Sequence, residues 1–600
     1  MSLARWSLSV SLAAAGFSTA AAGMSASQGV ASHESSPLPL AEYLARTAAE
    51  GLLDNRAFVP GASARPALGT FEGELRTSEA PMRTLPEDIG AHSVLGKDPQ
   101  IFPAFRVAFI TVDSDLVPVT QDLILSGSLP GGHSYWDVLV QPGRIWSQAG
   151  DGGWSRAAFP FELINAREGE THNGIATFLF RGQKVSALRY QIVQQTLPGN
   201  VEVLFNAFGR APLEVDARRV ASAAAVAEEY RAARADAIAV HPWSELEGRV
   251  GSQTLSGFSD AIPARDTVLS GLDYQGTFYL HDCDTAAGPM PWCDRARFGV
   301  WSVTKAFLNE AALLRLAQKY GPSVFQEKIV DHVPAARGYP AWARVTFDDA
   351  INMATGLGNG STRREPNAIE DGYLDPTYDE WYRATSREQK IAVALRTAKV
   401  YPWGPGQVAR YRDQDMFLLG AAMDAFVKTK EGPSASLWSL LQQEVYRPIG
   451  IHYATTSRTL EPSGDGIPPV SFGLFASIDE LVKVARLYQA DGRWNGVQIL
   501  YAPRIAQLKA GTAARGLPTG DHSPFGETTY FNTFWQIRYD ALEGCKLYVP
   551  QMLGWGGNIV ALYPGGVTGI RLAHVPANAP SIDDPTPMAR VANRLARFCP

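Results

Sequence analysis

Several signatures are missing from this 600-residue chain, and each absence removes a class of function. There is no Gly-x-Ser-x-Gly, the turn that carries the nucleophile of α/β-hydrolases. There is no His-Glu-x-x-His and no Cys-x-x-Cys, so the spacing argues against a metal site, and none is expected. Basic residues are not in excess: 54 Lys and Arg stand against 60 Asp and Glu, for a net charge of −6. With no basic run either, a phosphate-binding surface is not the main function and no nucleic-acid partner is expected. Long apolar runs are absent too. The stretch from Trp6 to Phe17 is too short and too rich in serine to span a bilayer stably. With Arg5 before it and Ala20-Ala21-Ala22 after it, it reads as a cleaved export signal over residues 1–22, so the mature chain is expected to be secreted or periplasmic with no stable membrane span. Only four cysteines occur. In an oxidising compartment they are expected to pair as Cys283–Cys293 and Cys545–Cys599, one of three possible connectivities.

What remains is an ordinary globular composition, 46% hydrophobic and 19% charged, long enough for two domains. Residues 25–98 are rich in Ala, Ser, Pro and Gly and read as a loop-rich segment with one helix around Leu40 to Leu53. Residues 99–212 hold short apolar or alternating runs between Gly, Pro and Asp turns: Phe105 to Val112, Tyr135 to Val140, Gly174 to Phe180 and Ala187 to Val193. That pattern predicts a mainly β domain. Trp146, Trp154, Phe159 and Phe161 could stack on sugars there, although core packing is the commoner use of such rings. His172-Asn173 reads as a turn. The Ala, Glu and Arg of Glu214 to Ala237 predict a connecting helix over 213–240, and the rest, 241–600, mixes strands and helices.

The chemistry begins at Ser302-Val303-Thr304-Lys305, ahead of the apolar run Ala306 to Leu314. A serine and a lysine three residues apart share one helix face, which places a nucleophile beside a base. In the first turn, free N–H groups and the positive end of the helix dipole face the reacting centre. Further stretches follow in order. They are Asp349 to Leu357, Pro405-Gly406-Gln407-Val408-Ala409-Arg410-Tyr411-Arg412-Asp413, Gly473 to Leu481, and Trp555-Gly556-Gly557-Asn558 ahead of an alternating strand.

From Ser302 onward this series resembles the serine β-lactamase and penicillin-binding superfamily, above all its class C-like branch and the family VIII carboxylesterases. The resemblance implies a β-lactamase-like α/β sandwich, an antiparallel sheet flanked by helices, here preceded by the β domain. It also implies the roles: Ser302 as nucleophile, Lys305 as base, Tyr411 sharing the proton, and the N–H groups of Ser302 and Asn558 as oxyanion hole. Asp413, Trp555, Gly556 and Gly557 would line the substrate. A shifted register, Gly554-Trp555-Gly556, would move the second donor to Gly557. Two positions depart from the β-lactamase pattern. Asp413 replaces an asparagine and so only accepts hydrogen bonds when ionised, and Trp555 replaces a lysine that would bind a carboxylate. Both favour a neutral ester or small amide as substrate. No cofactor is implied. A hydrolase of D-amino-acid peptides or oligoamides, or a β-lactamase-type acylase, is the alternative within the class. An inactive binding protein working through its β domain is the alternative outside it.

Overall fold

The computed structural model describes residues 37–45, 49–89, 95–199, 203–358, 376–523, 526–576 and 584–599. The expected export signal lies outside these residues. Two sheets organise the chain, of twelve and nine strands.

The twelve-stranded sheet is an antiparallel meander whose centre is Ser155–Ile164, His172–Arg181 and Leu188–Gln195. An antiparallel strand normally buries alternate residues, yet Ser155–Ile164 is buried throughout. Both its faces are covered. One carries the apolar core of Phe159, Phe161, Phe178 and Tyr190. The other receives Leu38, Tyr43 and Phe58 from the N-terminal segment, packed on Ile175 and Leu179. Three of the four rings singled out as possible sugar platforms, Trp146, Phe159 and Phe161, are buried, and Trp154 lies under the Arg181 guanidinium at 4.8 Å.

Three local expectations are corrected. The segment read as loop-rich contributes the strands Gly73–Thr77 and Arg83–Leu85 to this sheet, and among its described residues the α-helix is Leu40–Leu44. The region predicted as one helix from Glu214 opens as a strand, Leu213–Asp216, because its partner Gly73–Thr77 lies alongside; the helix is Ala223–Asp236. His172 and Asn173 open a strand rather than forming a turn.

The nine-stranded sheet joins strands from 239 to 282 to strands from 517 to 573. All pairs are antiparallel except Ala239–Pro242 with Thr277–Asp282. One face packs on the helices Trp243–Val250 and Thr586–Leu595 through Leu246, Leu272, Ile559 and Val591. The other packs on the main core, which includes the helices Ala311–Tyr320, Asp413–Glu431 and Ile478–Gln489. This is the α/β sandwich expected from the resemblance, with helices on both faces of an antiparallel sheet. Cys283–Cys293 and Cys545–Cys599 are both bonded, as expected. Among the described residues no helix is long and apolar enough to cross a membrane.

Candidate active site

The Ser302 helix starts irregularly. Trp301–Val303 is a 3₁₀ turn, Ala306–Glu310 a π turn, and a regular α-helix begins only at Ala311. Trp301, just before the serine, has φ +46°, a left-handed conformation that costs a bulky residue of order 1–3 kcal/mol. Its indole is clamped: Nε1 donates to the Leu197 carbonyl at 2.9 Å, and the ring fills the space that side chains at Gly169 and Gly199 would occupy. A Cβ at Gly169 would lie 2.8 Å from this ring, and one at Gly199 would lie 3.2 Å from it.

Those glycines belong to the β domain, which grips the nucleophile segment along its length. Arg297 N–H donates to Glu162 at 2.9 Å, Asn173 Nδ2 to the Arg297 carbonyl at 2.7 Å, and Gly299 N–H to Thr171 Oγ1 at 3.1 Å. Burial pushes the Glu162 carboxyl up to about 7, while His172, stacked on Phe205 and fully buried, is pushed down to about 3. His172 is therefore a neutral core residue.

Lys305 is 1% exposed and Ser302 half-buried. Lys305 Nζ donates to Ser302 Oγ at 2.7 Å and to the Ser471 carbonyl at 2.9 Å, and lies 2.8 Å from Asp413 Oδ1. Three acceptors match the three protons of an ammonium. Asp413 begins the Asp413–Glu431 helix, and its Oδ2 accepts from Tyr378 Oη at 2.9 Å. The sequence reading put Asp413 against substrate; here it is 4% exposed and holds the lysine. Tyr411 is buried, stacked on Trp535, with Lys305 Nζ over its ring at 4.7 Å. Tyr378 was not identified from sequence, because nothing in its neighbourhood marks it apart from an aromatic-rich helix.

The Trp-Gly-Gly stretch is the tip of a hairpin between Cys545–Gly554 and Asn558–Leu562. Gly556 and Gly557, with φ near +87° and +86°, serve the turn. The close approach to the nucleophile segment falls at Gly554 instead, where any Cβ would overlap the Val300 carbonyl. Asn558, expected to supply the second oxyanion donor, sits inside the sheet, fully buried. Its side chain donates to the Trp555 carbonyl and accepts from Ala573 N–H, locking the hairpin. Trp555 is 39% exposed and meets Trp301 edge-on, centroids 4.9 Å apart. Ser302 N–H lies in the first turn of the nucleophile helix, and Trp555 N–H opens the tip of the hairpin. The described residues contain no group of three or more His, Cys, Asp or Glu able to hold a metal ion.

No family model matches this chain, and no curated protein matches it. Among solved structures it is similar to a family VIII carboxylesterase at 15% identity and TM-score 0.40, over 58% of this chain and 98% of that one. It is also similar to a class C β-lactamase, at 12% identity and TM-score 0.37, over 57% and 96% of the two chains. A third, described as a putative 6-aminohexanoate-dimer hydrolase from Bacillus anthracis, is 16% identical with TM-score 0.39, over 55% of this chain and 78% of that one.

Proposed function

We propose that this protein is a serine hydrolase that cleaves a neutral ester or small amide through an acyl-enzyme on Ser302. The observation that carries the reading is the buried contact of Lys305 Nζ with Ser302 Oγ at 2.7 Å. Resting Lys305 is an ammonium. Passing one proton to Asp413 Oδ1 leaves an amine that takes the Ser302 proton as Oγ attacks the carbonyl carbon. The carbonyl oxygen becomes negative and is held by the backbone N–H groups of Ser302 and Trp555. Collapse expels the alcohol or amine, which receives the proton back through Lys305, with Tyr411 beside it. Water then attacks the acyl carbon by the same route in reverse. Trp555 offers the incoming substrate apolar surface and no cation, which favours a neutral group at that wall.

The test is hydrolysis of a short p-nitrophenyl ester by the mature chain and by Ser302→Ala, with intact mass followed during turnover. A transient acyl adduct and turnover, both lost in the variant, are expected. Folded protein showing neither, and also refusing a fluorophosphonate label, would overturn the reading.

A further inference from the structure

Residues 168–171 of the β domain form a wedge beneath the nucleophile segment. A Cβ at Gly299 would lie 2.1 Å from the Gly169 carbonyl oxygen and 2.6 Å from Glu170 Cα, and Gly169 itself faces the Trp301 ring. On the same side, a Cβ at Gly199 would lie 2.5 Å from Glu168 Oε2 and 3.2 Å from Tyr382 Oη. The wedge is fixed at both ends. Glu168 N–H donates to the Asn165 carbonyl at 2.9 Å, and Thr171 N–H donates to Thr196 Oγ1 at 3.0 Å. Between these anchors stand two glutamates, Glu168 and Glu170, both fully buried.

The two carboxyl groups are hydrogen-bonded to each other. Among the described residues Glu170 has no cation against it and no side-chain donor except Glu168. An ionised carboxylate only accepts hydrogen bonds, so a contact between two of them needs a proton in between. Burial, reinforced by the Glu168 carboxyl, pushes Glu170 well above the ordinary carboxylate range. Tyr382 faces both carboxyls and also feels Tyr378 and Asp413. Arg167, the preceding residue, interacts with Asp137 and Arg383 instead. The other segments packed on the wedge, residues 196–199, residues 299–301 and Ser457, carry no charged side chain.

We propose that Glu168 and Glu170 share one proton, and that this proton keeps the wedge seated under residues 299–301. They are positioning residues for Ser302 and do not touch the reacting atoms, so their role rests on the hydrolase reading. Loss of the proton confines two like charges in one buried space, which the wedge relieves by opening. Trp301 then loses its bed, and Ser302 shifts from Lys305 with neither residue of that pair altered. The folded chain holds the proton more tightly than the unfolded chain does. Seating is therefore complete at low pH and lost as pH rises.

The experiment compares the full chain with Glu170→Gln and Glu168→Gln. Either amide donates to the remaining carboxyl without titrating. Hydrogen exchange of the peptide over residues 297–303 is read by mass spectrometry at about pH 5 and about pH 9. In parallel, kcat for p-nitrophenyl acetate is followed over the same range, above the spontaneous rate. At about pH 9 the native peptide is expected to exchange about fivefold faster than in either variant, with equal protection at about pH 5. Native kcat is expected to fall about tenfold at the alkaline end, while each variant stays within about twofold of its maximum. Identical exchange in all three proteins at both pH values would overturn the shared proton. Slower exchange in the variants with three identical pH–rate profiles would overturn the positioning role. The same exchange difference in a chain that hydrolyses no ester would sink the hydrolase reading and still support the shared proton.

Discussion

At the scale of single residues, Lys305 and Asp413 form one unit, which gives the site a pH signature. Asp413→Asn removes the acceptor for the lysine proton, so Lys305 must lose it to solvent instead. A kcat about 10²-fold lower near pH 7, recovering as pH rises, is the expected outcome of a pH–rate profile; an unchanged profile would leave Asp413 only a structural role. The clamp on Trp301 makes a second prediction. Gly169→Ala would place a methyl group 2.8 Å from the indole and displace the residue that sets Ser302. A stability loss of about 1–3 kcal/mol by denaturant melt and at least tenfold lower kcat are expected. The serine and lysine were legible because local helical spacing fixes their contact. Asp413 was legible as a position but not as a partner of Lys305, since a contact across 108 residues leaves no mark on either segment. Asn558 begins the return strand beyond the Trp-Gly-Gly tip, and its side chain locks the hairpin, a placement that the motif alone does not show.

At the scale of elements, the π turn Ala306–Glu310 buries Glu310 completely, its carboxyl accepting from Asn532 Nδ2 at 3.0 Å. Burial raises its pKa from 4.5 to about 8. The folded state thus holds a proton that the unfolded state releases at lower pH, so the contribution is present below about pH 4.5 and lost as pH rises through 8. Glu310→Gln is expected to raise Tm at pH 8 and leave it nearly unchanged at pH 4.5, as calorimetry at the two values would read. The hairpin has its own anchor in Cys545–Cys599, which closes a separation of 54 residues. Replacing both cysteines by serine is expected to cost about 4 kcal/mol of stability in the chain-entropy estimate, measured by urea unfolding. Four strands of the larger sheet are legible as short apolar or alternating runs, Phe105 to Val112, Tyr135 to Val140, Gly174 to Phe180 and Ala187 to Val193, whereas Ser155–Ile164, buried throughout, is not. The helix expected from Glu214 failed at its start because pairing with a distant strand overrode local propensity.

At the scale of the whole molecule, both halves of the chain contribute to the candidate site. The β domain supplies the bonds that hold residues 297–301, and its loops at Gly169 and Gly199 form the bed of Trp301. Composition could say that residues 99–212 were β; it could not say what they touch, because strands buried on both faces read like any apolar run. A chain of residues 241–600 alone is expected to lack ester hydrolysis and to expose a wide face, tested by expressing it with and without the remainder. Activity in the isolated piece would show that the contacts to the nucleophile segment are dispensable.

The edge-on meeting of Trp301 and Trp555 has an optical consequence. Two indoles 4.9 Å apart and 81° between planes couple their electronic transitions, and that coupling is chiral. The pair flanks the serine, so filling the site changes its geometry. Trp555→Phe would remove the resulting circular-dichroism couplet, and in the native chain its time course would report acylation with any colourless substrate.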